Sequence, residues 1–315
     1  MAARVFGPVP SRRLGRSLGL DLTPAKTCTY DCRYCQLTAT DHPATERQMF
    51  FQPAELLDEL REKLADIEPP DWITCSGSGE PTLHAGLGSI LKGIREFSSA
   101  PICVITNGSL LGREDVRTDL CFADRVMPTL CSVHEETWRA IHQPATGIIF
   151  KDILQGLQMF GRMYPGILEI EVFICPGLND TEREIDDLGS FFRQLPGLDA
   201  VYLNAAVRNP VDTSLLPASP ELLDSIKRRL KLQIPVSTAF DHSPLPKRTE
   251  SKRSPTGQEI LDLLRRHPCT LEQLHRVFGG DLRQLTSVTT RLVESGAAEK
   301  RPDGTFAPLS SSSKG

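Results

Sequence analysis

Short apolar runs rich in β-branched residues alternate with amphipathic stretches along the first 240 positions. The segments SLGLDL (17 to 22), WITCSG (72 to 77), ICVITNG (102 to 108), RVMPTL (125 to 130), ILEIEVFI (167 to 174) and AVYLNA (200 to 205) predict strands, several of them buried on both faces. Helix starts fall between them. Pro53 leads PAELLDELREKL, Thr181 and Glu184 predict a capping box for TEREIDDLGSFFRQL, and Ser219 and Pro220 open SPELLDSIKRRLK. Strict alternation of strand and helix implies parallel strands joined by right-handed crossovers. The expected fold class is therefore α/β: a partial (β/α)6 TIM-like barrel of parallel strands, with IPVSTAF (234 to 240) as a candidate seventh strand.

The pattern then breaks. DHSPLPKRTESKRSP (241 to 255) combines proline, serine and charge without apolar periodicity, which predicts a linker. Beyond it, TGQEILDLLRRH, TLEQLHRVFGG and DLRQLTSVTTRLVESG read as three helices, the second with Thr270 and Gln273 as its capping box. AAEKRPDGTFAPL follows as a hairpin turning at Asp303 and Gly304. Three helices and a hairpin form the winged-helix arrangement. The expected organisation is a barrel domain over 1–241, a linker over 242–254, a winged-helix domain over 255–309 and a disordered tail over 310–315.

Charge sharpens this division. The net charge is -4, but residues 242 to 315 hold 12 Lys and Arg against 8 Asp and Glu, whereas residues 1 to 241 hold 24 against 32. A basic terminal segment fits a polyanionic partner. No apolar run approaches the roughly 20 residues of a membrane-spanning helix, and MAARVFGPVPSRR lacks the apolar stretch of a secretory signal. A cytoplasmic protein with no membrane partner is expected. Nine cysteines, six of them scattered singly, argue against a disulfide framework, and the six (Cys75, Cys103, Cys121, Cys131, Cys175 and Cys269) read mostly as small buried apolar residues.

The other three stand together in KTCTYDCRYCQL, where Cys28, Cys32 and Cys35 are spaced Cys-x3-Cys-x2-Cys directly after the first predicted strand. A structural zinc site wants four ligands, usually two separated pairs; no second pair follows, although His42 offers a fourth donor. An iron-sulfur cube held by three thiolates keeps one iron open to a non-protein ligand.

This motif resembles the cluster loop of the radical S-adenosylmethionine (SAM) enzymes. The resemblance implies a [4Fe-4S] cluster on Cys28, Cys32 and Cys35, with SAM chelated by the free iron and cleaved to a 5'-deoxyadenosyl radical. It also implies SAM contacts: Tyr34 near the adenine; Gly77, Ser78, Gly79 and Glu80 of CSGSGEPTL at the methionine group; Thr106 and Asn107 at the ribose or carboxylate; and Asn179 of VFICPGLND beside the adenine. Each has a plainer reading: a ring covering the cluster, a tight turn with a solvated Glu80, a turn after a strand, an ordinary cap. All four segments sit at the same ends of successive predicted strands, where parallel barrels build active sites.

Within the superfamily, FGPVPSRRLGRSLGLDL, GSGEPTL, VMPTL, ETWRAIHQPATG, PGLND and LNAAVRNP are most similar to the group related to wyosine-type tRNA guanosine synthases. No cysteine precedes Cys28, so a single cluster is expected. Cys131 and Gln143 depart from that group, whose members have an acidic residue and a nearby arginine there, so its substrate is not carried over. Arg12, Arg13, Arg16 and Arg208 are candidate anion contacts, with solvated arginines as the plain alternative. His84, His134 and His142 read as structural or exposed.

Two functions follow. One is a radical SAM enzyme acting on an unidentified substrate, RNA among the options, with an external one-electron donor such as flavodoxin or ferredoxin. The other is an iron-sulfur redox sensor that binds DNA through the winged helix, whose third helix presents Arg283, Ser287 and Arg291 opposite Leu285, Val288 and Leu292. The winged helix has tRNA, another nucleic acid or a protein as its candidate partner.

Overall fold

A computed structural model describes residues 4–11, 13–37, 40, 43–206, 212–241, 255–266, 268–279, 281–302 and 304–309. The expected linker over 242–254, the tail over 310–315, Arg12, His42, Arg208 and Asp303 lie outside the described residues.

The fold is α/β, built on an eight-stranded, mostly parallel sheet whose strands follow chain order. They are β1 (Val5–Ser11), β2 (Gly15–Leu20), β3 (Trp72–Cys75), β4 (Ile102–Thr106), β5 (Arg125–Pro128), β6 (Ile167–Phe173), β7 (Leu198–Asn204) and β8 (Val236–Thr238). Between β4 and β8 each strand pairs in parallel with the next, and the register aligns Thr106 with Pro128 and Phe173 with Asn204. Helices α1 (Pro53–Ala65), α2 (Leu87–Arg95), α3 (Glu114–Leu120), α4 (Glu135–His142), α5 (Phe150–Met163), α6 (Glu182–Gln194) and α7 (Pro220–Leu230) fill the crossovers. This is the arrangement of a partial TIM-like barrel, with β8 as the seventh predicted strand. The strands are buried through Val104, Val126, Ile170, Val172, Val201 and Leu203, and the helices through Ile90, Leu157, Phe160 and Leu223. Each such side chain contributes about 1.5–3 kcal/mol.

Two local expectations needed correction. Strand β1 was not foreseen because Pro8 and Pro10 interrupt its sequence; its place at the end of the sheet order explains the tolerance, since an edge strand does not need every N–H. At α6 only half of the capping box forms. Thr181 Oγ1 accepts from the Glu184 backbone N–H at 3.3 Å, but the buried Glu184 carboxylate turns inward to accept from Ser132 Oγ (2.6 Å) and Thr137 Oγ1 (2.5 Å). Two interior hydroxyl donors outcompete a cap that water can serve.

The chain divides into two compact units: Leu20–Ile67 with Thr74–Asp241, and Met1–Gly19 with Glu68–Ile73 and His242–Gly315. The second holds α8 (Gly257–Arg266), β9 (Cys269–Thr270), α9 (Leu271–Phe278), α10 (Leu282–Glu294), β10 (Ala298–Lys300) and β11 (Thr305–Pro308). Its three strands are antiparallel in the order β10, β11, β9. Both bonds of the Thr270 and Gln273 capping box are made. Ile260, Leu263, Leu264, Leu274, Val277, Leu285 and Phe306 form its core, and Val9 of β1 packs against it. Arg16 is tied into the same unit. Its guanidinium donates to the carbonyl oxygens of Val277 (3.1 Å) and Pro69 (3.2 Å), so this buried arginine braces backbone instead of offering a fork to an anion. No helix among the described residues is long and apolar enough to cross a membrane.

Candidate functional site

The loop after β2 is sewn down on two sides by backbone hydrogen bonds. On one side the Lys26 N–H donates to Ser78 O (2.7 Å) and the Glu80 N–H to Thr27 O (2.9 Å). On the other, the Ala145 N–H donates to Thr29 O (2.9 Å), the Asp31 N–H to His142 O (3.1 Å) and the Arg33 N–H to Ile141 O (3.0 Å). Tyr30, fully buried, anchors the middle by meeting Trp138 edge-on at 5.7 Å. A segment with no regular structure is thereby held rigid between the end of β3 and the end of α4.

This loop presents the three clustered thiols, and each meets a polar nitrogen from outside the trio. Asn107 Nδ2 lies 3.4 Å from Cys28 Sγ, His142 Nδ1 lies 3.2 Å from Cys32 Sγ, and Cys35 Sγ has Lys26 Nζ at 3.7 Å and the Leu37 N–H at 3.5 Å. Burial pushes the Cys28 thiol up to about 11, with the charge of Glu80 adding to it. Cys32 is raised first by burial and then by Cys28. Thiols so placed ionise when a metal takes the sulfur, and ligation then releases their protons.

The donor set fits a polynuclear cluster. A cube takes its thiolates at separate corners and leaves its fourth iron to a non-protein ligand, and hydrogen bonds to the sulfurs tune it. The other cysteines behave as expected: Cys75, Cys103, Cys131, Cys175 and Cys269 are buried, and only Cys121 is half-buried.

The glycine-rich segment has reasons internal to the protein. Gly77 has φ +127°, and a Cβ there would sit 1.7 Å from Asp21 Oδ1, the atom that accepts from Ser78 N–H (2.6 Å) and Ser78 Oγ (3.1 Å). At Gly79 a Cβ would fall 2.3 Å from the Thr27 carbonyl oxygen. The space for a side chain is thus closed at Gly77 by the Asp21 carboxylate and at Gly79 by the backbone of the cysteine loop. Glu80 is buried, and its carboxylate accepts from the Thr82 N–H (3.0 Å), Thr82 Oγ1 (2.6 Å), Thr106 Oγ1 (2.6 Å) and the Asn107 N–H (2.7 Å). Burial raises its pKa, opposed by the Thr106 and Thr82 hydroxyls.

Asn107 also donates to Thr29 Oγ1 at 2.7 Å, so it bridges the end of β4 to the cysteine loop. Asn179 is fully buried. It donates to the carbonyls of Cys131 and Phe173 (2.9 Å each) and accepts from the Cys175 N–H (2.7 Å), which ties the turn after β6 to the segment after β5. The Tyr34 ring stacks on Phe173, 4.1 Å between centroids, and its hydroxyl lies 3.4 Å from His142 Nδ1. Asp21, Thr27, Phe173 and His142 were not singled out as site residues from the sequence. His142 lies in ETWRAIHQPATG, a stretch that carried the family resemblance, and this was the available signal.

Residues 22–192 match the Radical SAM superfamily profile. The chain belongs to that superfamily. Its members are enzymes that use a [4Fe-4S] cluster and SAM. Among curated relatives of this radical SAM protein, a UPF0026 protein of Methanocaldococcus jannaschii is 37% identical over 223 residues, 70% of this chain and 69% of that one. A protein named GTPase Obg from Brachyspira hyodysenteriae is 34% identical over 297 residues, 93% of this chain but 43% of that protein, so the chain spans less than half of that relative. The present sequence contains no Gly-x4-Gly-Lys-Ser/Thr phosphate loop, and GTPase activity is not carried over. The structure of TYW1 with a lysine-pyruvate adduct bound shares the fold, with a TM-score of 0.50 and 15% identity over 70% of this chain and 74% of that one.

Proposed function

We propose that this protein is a radical SAM enzyme that holds a single site-differentiated [4Fe-4S] cluster on Cys28, Cys32 and Cys35 and abstracts a hydrogen atom from its substrate. The observation that carries this reading is the hydrogen-bonded three-thiol loop, in which a nitrogen of Asn107, His142 or Lys26 faces each sulfur. When bound, the cluster supplies one electron to the SAM sulfonium, releasing methionine and the 5'-deoxyadenosyl radical. The chain's own part is positional. Glu80 locks Thr106 and Asn107 at the end of β4, Asn107 spans to the thiol loop, and the stacked Tyr34 and Phe173 rings offer an apolar wall for an adenine.

The electron donor in this proposal is a small redox protein of the flavodoxin or ferredoxin class, and the compartment is the cytoplasm, consistent with nine unpaired cysteines. The terminal helices and hairpin are proposed as a winged helix that docks an RNA substrate, tRNA foremost. Arg283, Ser287 and Arg291 are exposed on one face of α10 while Leu285 is buried on the other, and a basic, hydrogen-bonding face of this kind suits a phosphate backbone.

The deciding experiment is anaerobic reconstitution with iron and sulfide, followed by dithionite and SAM. Release of 5'-deoxyadenosine, lost in the Cys28→Ala, Cys32→Ala and Cys35→Ala variants but kept in Cys269→Ala, supports the enzyme. A full cluster that titrates while SAM stays intact would instead make this an iron-sulfur redox sensor.

A further inference from the structure

His142 ends α4 and is fully buried. Its ring is boxed in by Tyr30 at 5.1 Å, Tyr34 at 5.7 Å and Trp138 at 6.2 Å between centroids, and its carbonyl accepts from Asp31 in the thiol loop, so both ring and backbone are fixed against that loop. Nδ1 lies 3.2 Å from Cys32 Sγ. The other nitrogen, Nε2, is buried and has no hydrogen-bond partner among the described residues.

These placements decide where the single ring proton resides once Cys32 is a thiolate. On Nε2 it would be a buried donor with nothing to receive it, and the Nδ1 lone pair would face the negative sulfur with only the Tyr34 hydroxyl, at a long 3.4 Å, to donate to it. On Nδ1 it points at Cys32 and leaves behind only a bare acceptor. An N–H···S bond withdraws charge from the sulfur and favours the more negative, reduced cluster.

Resting on the cluster reading above, we propose that His142 is a positioning residue for the redox centre: its Nδ1–H donates to the Cys32 thiolate and raises the potential at which the bound cluster accepts its electron. Lys26 at Cys35 and Asn107 at Cys28 act on the other two corners, but Lys26 is partly exposed and Asn107 divides its amide between Cys28 and Thr29. The Tyr34 hydroxyl also faces Cys32, but its side chain is only half-buried, whereas the imidazole is fully buried and fixed in orientation.

The test is a potentiometric titration, followed by electron paramagnetic resonance, of the anaerobically reconstituted full chain without SAM. His142→Phe keeps an aromatic ring against Tyr30 and Trp138 and removes the donor. His142→Asn places an amide nitrogen near the position of Nδ1, whereas His142→Gln carries it toward Nε2. At a fixed potential the reduced-to-oxidised ratio should fall about tenfold in the Phe variant, a shift of about 59 mV for one electron, with unchanged iron and sulfide content. The Asn variant should recover most of that ratio and the Gln variant should not. Should the Phe variant fail to fold, the Asn and Gln pair carries the comparison, and equal ratios in the two overturn the proposal. A Phe variant that loads normally and titrates like wild type also overturns it. Wild-type protein that takes up no iron and sulfide overturns the cluster reading first and this inference with it.

Discussion

The hydroxyl of Thr106, at the carboxyl end of β4, donates a 2.6 Å hydrogen bond to the buried carboxylate of Glu80, which follows β3. The same carboxylate takes the Asn107 N–H, and Asn107 in turn reaches Cys28 and Thr29. Two strand ends and the thiol loop are thus clamped by one acidic side chain.

Glu80→Gln should be destabilising although it is nearly isosteric. One amide nitrogen would replace an oxygen that accepts either from Asn107 or from the two threonines, setting donor against donor in the interior. A loss of about 2–4 kcal/mol is expected, read as a lower denaturant midpoint with unchanged slope. An unaltered midpoint would show that the four hydrogen bonds are dispensable.

Gly77 and Gly177 both have positive φ, +127° and +83°, but a Cβ at Gly77 would collide with Asp21 while nothing lies within 4 Å of one at Gly177. Gly177→Ala should therefore cost only its backbone strain, about 1 kcal/mol. Gly77→Ala should cost about 3 kcal/mol, with the steric part added. Adding Asp21→Ala to Gly77→Ala should restore part of the difference, since the collision is with that carboxylate. Equal costs at the two glycines would mean that the approach of Asp21 does not constrain Gly77.

His84 sets an acid limit on stability. Its buried ring accepts from the Gly86 N–H at 2.9 Å, and burial pushes its pKa down from 6.5 to about 4. The unfolded chain then binds the proton more readily than the folded one. The contribution is complete above pH 6.5 and is lost as the pH falls toward 4, amounting to about 3 kcal/mol. Between pH 7 and pH 4, cluster-free wild type should lose about that much more stability than His84→Asn, whose amide oxygen keeps the Gly86 bond without a titrating group. Equal losses in urea melts at the two pH values would exclude His84 as the cause.

If the terminal helices dock tRNA as proposed, that binding should weaken steeply with salt. Arg283→Ala and Arg291→Ala should each lower the slope of log affinity against log salt by about one unit, measured by fluorescence anisotropy. A slope unchanged in the double variant would remove α10 from the interface.

The strands and helices were legible because their signals are local. An apolar run such as ILEIEVFI, or Ser219 beside Pro220, carries its preference within a few residues. Strand β1 escaped because Pro8 and Pro10 give a local signal against pairing that its place at the sheet edge overrides. Glu184 escaped for the converse reason: its local cap is sound, and only the fold brings Ser132 and Thr137 within reach.

For the site, the sequence by itself determined the spacing of Cys28, Cys32 and Cys35, because covalent neighbours on one loop cannot separate. It also ordered Glu80, Thr106 and Asn107 after successive strands. What only the tertiary structure decided is which groups face those residues: His142 meets Cys32 across 110 positions, Asn107 meets Cys28 across 79, and Asp21 closes on Ser78 across 57. Hydrogen bonds have a reach of about 3 Å, so partners this far apart in the chain are selected by strand order and register, which no local pattern encodes.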